Sequence, residues 1–389
     1  MNNLKWLDGI RGLAALVVVV GHYLCAYYPS VFTGSVKDSH FDGLIDVRLA
    51  DTPFNLFWNG YFAVSIFFVL SGFVLSTKFF SSKDYSFIVS SGIRRYVRLV
   101  IPVTFSCVIA YCLLKANLFF NEGLANYTKA YWYLPNYYNF EASFIDMLKK
   151  SLIDTFIYGV DTISYNPVLW TMKIEFFGSL LVFAMALLFG QLRNRYILYI
   201  ILIWFFIDTY YVAFIFGMVL SDLYNNKTVV FVFIKNKTIK LMLLLCGLFF
   251  GSFPTVIATD KNIYSYLTFD FLGGRHGSMT IFHLIGATII IFVVLSSKNF
   301  KKIFSHRTLL FLGEISFSMY LLHFIILFSF SGYLSIKLSR FLPYHINFIL
   351  TFACSITIIL IISKIFAKFV DQKGISFSKV IYEKIFKAH

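Results

Sequence analysis

Ten separate apolar runs punctuate this chain, at residues 10–28, 57–77, 99–120, 167–190, 196–207, 209–224, 241–257, 280–296, 309–331 and 346–366. A single water-soluble core has no use for so many stretches of this kind. The longer ones match the roughly 20 residues a helix needs to cross a hydrocarbon layer about 30 Å thick. Composition agrees, since 59% of the residues are hydrophobic and only 14% charged, against about a quarter charged in ordinary soluble domains. The expectation is an all-α polytopic membrane protein with about ten transmembrane helices. Runs five and six are short and abut at Asp208, so one tilted, broken helix or a re-entrant pair fits there equally well.

The formal charge of +15 does not mark a nucleic-acid binder, because the basic residues fall in short clusters between apolar runs, where they set topology. With both termini cytoplasmic, 23 of the 34 lysines and arginines face the cytoplasm, Lys227 and Lys235 among them, while Asp38, Asp42, Asp46 and Asp51 lie in the first outer loop. Shifting the register by one span would place Lys78, Lys83, Arg94, Arg95 and Arg98 outside, so both ends are expected inside. The outer loops at 29–56 and 121–166 are long. Aromatics of the second (Tyr127, Tyr131, Trp132, Tyr133, Tyr137, Tyr138) suit an interfacial belt better than a platform for sugar rings. Residues 1–366 read as one transmembrane domain with no separate soluble domain. Residues 367–389 read as a short basic cytoplasmic tail, amphipathic and lying on the membrane surface. No small-x-small cleavage site follows the first run, so its helix is expected to be retained. Cys25, Cys107, Cys112, Cys246 and Cys354 form no CxxC and read as small hydrophobes.

Ionisable groups inside spans are costly and mark functional candidates. In the first span Arg11 and His22 are eleven residues apart, which puts them on one helical face about 16 Å apart along the axis. They would line one channel at two depths, with Arg11 holding an anion and His22 shuttling a proton, unless the arginine only snorkels and the histidine only bonds a neighbouring helix. Arg95 and Arg98, at i and i+3, make a fork suited to phosphate, or serve simply as topology determinants. Thr171, Glu175 and Ser179 share a stripe with Lys173 turned away, and a carboxylate two turns into a span favours chemistry or an ion path over structure. Ser316, Tyr320 and His323 share a face, with Glu314 and Ser318 in the next row, as a site wall or as interhelical glue. A P-loop, GxSxG, HExxH and metal-type ligand spacings are all missing, so no metal is expected.

Taken in order, LDGIRGLAALVVVVGH (7–22), FFVLSGFVL (67–75), the Arg95–Arg98 RxxR, LWTMKIE (169–175) and GEISFSMYLLH (313–323) resemble the acyltransferase-3 family of integral membrane O-acyltransferases across essentially the whole chain. The resemblance implies transfer of an acyl group, most often acetyl, from cytoplasmic acetyl-CoA to a hydroxyl of a bacterial surface or exported glycan. O-antigen, capsule, exopolysaccharide and peptidoglycan are all open as acceptors. By position, His22 matches the family's essential histidine, Arg11 its first-helix arginine, Arg95 and Arg98 its RxxR pair, and Glu314 an acidic residue of its late helix. Glu175 is added on physical grounds.

Two positions depart from the pattern. Ser65 stands where many members carry Asp, and Pro102 comes one residue late. The resemblance also implies residence in a bacterial inner membrane, and the chain is expected to act without an appended esterase-like domain. In the expected mechanism Arg95 and Arg98 hold the donor's phosphates and His22 is the general base or acyl carrier. Arg11 orients the phosphopantetheine or the imidazole, and Glu175 or Glu314 fixes the histidine tautomer or relays the proton. A proton-coupled secondary transporter or flippase using the same buried charges is the alternative from another class. A structural membrane scaffold would leave those charges unaccounted for.

Overall fold

The computed structural model describes residues 4–160, 163–226, 236–256 and 262–386. Lys227, Lys235 and the last three residues of the expected tail lie outside the described residues. Among the described residues the protein is helical, with a lone β-bridge between Phe269 and Gly274 and no strand. The main helices are α1 (Trp6–Tyr27), α2 (Gly60–Ser82), α3 (Tyr85–Lys115), α4 (Trp170–Phe189), α5 (Arg195–Phe205), α6 (Tyr211–Asn225), α7 (Lys237–Gly251), α8 (Gly274–Leu295), α9 (Lys298–Phe304) and α10 (Arg307–Glu314). They are followed by α11 (Ser316–Leu338) and α12 (Tyr344–Phe386). Seven helices among the described residues are long and apolar enough to cross a membrane, which makes this a multi-pass membrane protein. The fifth and sixth apolar runs form two separate short helices, α5 and α6.

Three boundaries differ from the sequence expectation. Helix α3 starts at Tyr85 rather than 99, because Lys83 in the left-handed region (φ 56°) ends α2 and the Asp84 carboxylate caps the amides of Ser86 (2.9 Å) and Phe87 (3.4 Å). Hydropathy misses this first half because it carries the arginines. The run at 309–331 breaks at Ile315, where α10 gives way to α11.

The expected surface tail is instead a direct continuation of α12 through a π-turn at Ala367–Asp371. At 43 residues α12 is about 65 Å long, roughly twice the hydrocarbon thickness. Its last part packs along α3, with Gly374 against Ile101. A helix already pinned to a neighbour has no reason to splay onto the lipid surface.

Close approach holds the bundle together where glycines allow it. At the α2–α6 crossing a side chain on Gly72 would run into the carbonyl of Phe214, and one on Gly217 into that of Val69. Asn166 ties the start of α4 to its neighbours, donating to Ser106 Oγ on α3 (3.1 Å) and to the Leu321 carbonyl on α11 (2.9 Å).

The Arg195 guanidinium grips Asp222 at the end of α6 through Nε–Oδ2 (2.6 Å) and Nη2–Oδ1 (2.8 Å), and the Tyr199 hydroxyl adds 3.1 Å to Oδ2. Asp222 is fully buried. Asp222→Ala strands the arginine and is expected to cost about 3–5 kcal/mol, read as a large loss of folded protein on thermal unfolding in detergent. An unchanged melting temperature would contradict this clamp.

The loop between α1 and α2 is built around Asp46, which is 1% exposed. Its carboxylate accepts from Ser30 Oγ (2.6 Å), Ser39 Oγ (2.7 Å) and the amides of His40 (3.1 Å) and Val47 (3.0 Å). Burial alone would push this carboxyl up, but the two hydroxyls and two amides together outweigh it and hold it below the ordinary carboxylate range. A lowered folded pKa means the contribution is complete above the unfolded value, near 3.9, and is lost as pH falls through the folded one. Hydrogen-exchange protection across 30–50, relative to the intrinsic rate at each pH, should therefore hold at pH 5–7 and fall only below about pH 4. In Asp46→Asn it should already be lost at pH 7. Loosening of the native loop between pH 7 and 5 would contradict the assignment.

Candidate active site

Two cavities lie side by side between α1, α2, α4 and α11. The first, of about 210 Å³, is lined by Arg11, Arg95, Arg98, Ser71, Thr171 and Glu175 together with Ser316, Tyr320 and Asp371. The second, of about 310 Å³, is lined by His22 and Cys25 of α1 and by Tyr61, Trp132, Tyr133, Tyr137, Trp170 and Phe324. Val64 and Tyr320 belong to both walls. Arg11 and His22 thus line two adjoining cavities, at two depths of α1.

In the arginine cavity the charges are already partly matched. Arg95 is buried; its Nη2 forms an ion pair with Glu175 Oε1, and its Nε donates to Ser179 Oγ at 2.9 Å. Ser71 Oγ of α2 donates to the same Glu175 oxygen at 2.9 Å. The stripe Thr171, Glu175 and Ser179 therefore faces the site, while Lys173 turns away to the Tyr158 carbonyl at 3.3 Å.

The expected Arg95–Arg98 fork is not a matched pair. Arg95 is spent on Glu175, whereas Arg98 is exposed along the cavity wall. Arg11 makes only a loose contact with Asp8, 3.6 Å away. Pro102 lacks an N–H, so the Arg98 carbonyl one turn before it has no helical partner.

In the histidine cavity the hydrogen bonds define a tautomer. His323, fully buried, has Nδ1 at 3.0 Å from the Met319 carbonyl, which only accepts, so Nδ1 carries the proton. A neutral His323 then presents its Nε2 lone pair to His22 Nδ1, 2.9 Å away, and His22 Nδ1–H donates. The proton on Nδ1 leaves His22 Nε2 as a free lone pair on a half-buried ring at the cavity wall. Tyr23 and Tyr27, one turn apart on the neighbouring face of α1, anchor on Ser331 within the π-turn of α11, at 2.7 Å to its hydroxyl and 3.3 Å to its carbonyl. The α1–α11 seam that holds the two imidazoles together is therefore fixed from the other side.

Several expected residues fall into place and others do not. Tyr320 bonds Thr171 Oγ1 at 2.9 Å and the Val168 carbonyl, forming the partition between the chambers. Ser316 lines the arginine cavity but returns its hydroxyl to the Gly313 carbonyl at 2.9 Å. Glu314 is exposed, lines neither cavity, and has Gln372 Nε2 at 3.4 Å, so the expected role of fixing the His22 tautomer falls to His323. Glu175 is likewise committed to Arg95.

Of the loop aromatics, Tyr133 and Tyr138 are buried against Phe324 and Phe328, and Trp132, Tyr133 and Tyr137 wall the histidine cavity. Tyr133 and Tyr138 are thus part of the protein interior, whereas Tyr131 and Trp132 stay exposed, at 57% and 45%. Asp371 was not singled out by the sequence, because its place depends on α12 continuing past 366. Ser65 returns its hydroxyl to the Tyr61 carbonyl at 2.9 Å. No group of three or more side chains able to hold a metal ion occurs among the described residues.

The sequence profile of the acyltransferase domain matches residues 4–367. A curated relative, the O-acetyltransferase PaAT-1 of Phomopsis amygdali, is 26% identical over 219 residues, covering 50% of this chain and 42% of that protein. The match thus spans less than half of that relative's length. No solved structure matches the chain. With the profile running from the first helix to the π-turn that carries Asp371, the chain belongs to the acyltransferase-3 family of multi-pass membrane acyltransferases.

Proposed function

We propose that the protein moves an acetyl group from cytoplasmic acetyl-CoA to a hydroxyl of a bacterial surface or exported glycan, working from the inner membrane with both termini in the cytoplasm. One observation carries this reading. A histidine whose tautomer is set by a second histidine stands in an aromatic chamber that shares a wall with a chamber lined by arginines. The arginine cavity suits the donor, because Arg11 and Arg98 are the guanidinium groups left free for its phosphates. Arg95 positions Glu175 rather than binding the donor itself. The slender pantetheine arm would pass Tyr320 to bring the thioester to His22.

There His22 Nε2 takes the proton from the acceptor hydroxyl as the oxygen attacks the thioester carbonyl. The C–S bond breaks, the new C–O ester bond remains, and the imidazolium returns its proton to the leaving thiolate. The Met319 carbonyl and His323 keep the accepting nitrogen on the cavity side throughout. An acyl-imidazole at the same Nε2 is the variant of this route, and rapid-quench trapping separates the two.

The test is acetyl-CoA cleavage and acceptor acylation by purified protein in lipid nanodiscs, comparing wild type with His323→Phe. The variant keeps the packing and removes the side-chain acceptor for His22 Nδ1–H. The proposal predicts a loss of kcat of roughly 10–100-fold, with donor KM little changed. Full activity in His323→Phe would overturn the tautomer argument. Acceptor movement across the membrane without thioester cleavage would point to the transporter alternative.

A further inference from the structure

We infer that the histidine cavity receives one uncharged pyranose ring of the acceptor and discriminates against acidic sugars. This rests on the acyl-transfer reading above and specifies its second substrate. A volume near 310 Å³ lies at the lower end of ligand cavities, about 300–1,000 Å³, which suits one ring rather than an oligosaccharide.

Among the described residues no Asp, Glu, Lys or Arg lines this chamber, whereas the chamber behind Tyr320 holds Arg11, Arg95, Arg98, Glu175 and Asp371. A carboxylate entering it would give up its hydration with no cation in the lining to receive it. Arg275 reaches the backbone carbonyl of Thr255 at the rim but stands outside the lining. Charge is thus segregated, with anion-binding groups on the donor side and neutral walls on the acceptor side.

The walls also say what kind of neutral molecule fits. Three of the chain's five tryptophans, Trp58, Trp132 and Trp170, line the chamber, and Tyr61 packs beside Trp170 with ring centroids 6.0 Å apart. Flat aromatic faces match the C–H face of a pyranose, which is apolar above and below a hydroxyl-bearing edge. A hydrocarbon chain would also tolerate such walls, but Tyr133 argues against it. That residue is 8% exposed, and its hydroxyl has no partner among the described residues. Buried hydroxyls are ordinarily hydrogen-bonded, and a sugar hydroxyl supplies the missing partner where a methylene chain cannot. Tyr133 and His22 line the same chamber, so a ring bonded to one presents another hydroxyl to the second.

The test uses full-length protein in nanodiscs with methyl gluco-, galacto- and mannopyranosides and the corresponding methyl uronates. Tryptophan fluorescence reports occupancy without any acyl chemistry, and mass spectrometry with acetyl-CoA reports transfer. At least one neutral pyranoside should change the fluorescence, with its uronate binding at least about tenfold more weakly. Tyr133→Phe should raise KM for that pyranoside by roughly three- to tenfold, more than it lowers kcat.

Equal or tighter binding of the uronate, abolished in Arg275→Gln, would overturn the inference in favour of recognition at the rim. Donor cleavage with no fluorescence response to any sugar would overturn it too, by removing the ring from this chamber. The predicted binding preference without any acyl transfer would leave the ring site standing and overturn the acyl-transfer reading instead.

Discussion

His22→Ala lowers acetyl-CoA-dependent acylation by about 10²–10⁴-fold, the range for loss of a positioned general base, and leaves the fold intact. The reason is geometric. His22 has one nitrogen committed to His323 at 2.9 Å and one free at the cavity wall, so its Nε2 is the nitrogen placed to take the hydroxyl proton. His22→Gln is the stricter version, since its amide preserves a donor toward His323 Nε2 but offers no basic nitrogen. His22→Ala loses a single interhelical hydrogen bond, worth about 1 kcal/mol, and His22→Gln keeps it, so both should melt close to wild type in detergent. Residual activity above a tenth of wild type, or a collapse in folded yield that tracks the activity, would show that His22 is a structural histidine.

Glu175→Ala should be the most destabilising change near the site. Arg95 is buried, and Glu175 is its one carboxylate partner. Cutting the carboxylate away leaves a cation inside the bundle, at a cost of about 3–5 kcal/mol. Glu175→Gln keeps an acceptor oxygen for both the guanidinium and Ser71, and should recover most of the folded yield. The double variant Arg95→Met, Glu175→Leu should fold better than Glu175→Ala, because a buried pair replaced by apolar groups leaves nothing unsatisfied. Thermal unfolding of the four proteins in one detergent checks this order, and a double variant no better than Glu175→Ala would contradict the pairing.

How far the chain could be read without coordinates depends on whether the signal was local. Each apolar run is a property of consecutive residues, and each is helical over most of its described length. The stripe Thr171, Glu175 and Ser179 is likewise local, set by 3.6 residues per turn, and all three face the site. The pairing partners were not legible in the same way. His22 and His323 are separated by 301 positions and Arg95 and Glu175 by 80, and no periodicity in one helix says which neighbour it will meet.

Glu314 illustrates the converse. It shares a motif with Tyr320 and His323, but the break at Ile315 places it on α10, whose closing turn lies against Gly12 and Asp8 of α1 rather than against the cavities. Asp371 escaped notice because charge and declining hydropathy after 366 look like a tail, whereas contact with α3 keeps the helix going. The aromatic loop is ambiguous for a related reason: Tyr and Trp are equally at home at a headgroup belt and at a cavity wall, and only packing on Phe324 and Phe328 separates the buried Tyr133 and Tyr138 from the exposed Tyr131 and Trp132.

Because the two chambers meet only across Val64 and Tyr320, the central claim is that donor and acceptor arrive from opposite faces of the membrane. Proteoliposomes carrying the protein in one sorted orientation test this directly, with acetyl-CoA on one face and a neutral methyl pyranoside on the other. Acetylated sugar should form when acetyl-CoA is on the face bearing Arg98 and the sugar is on the opposite face, and should be absent when the two are exchanged. Product formed only when both substrates share one face would contradict a path running from the arginines, past Tyr320, to His22.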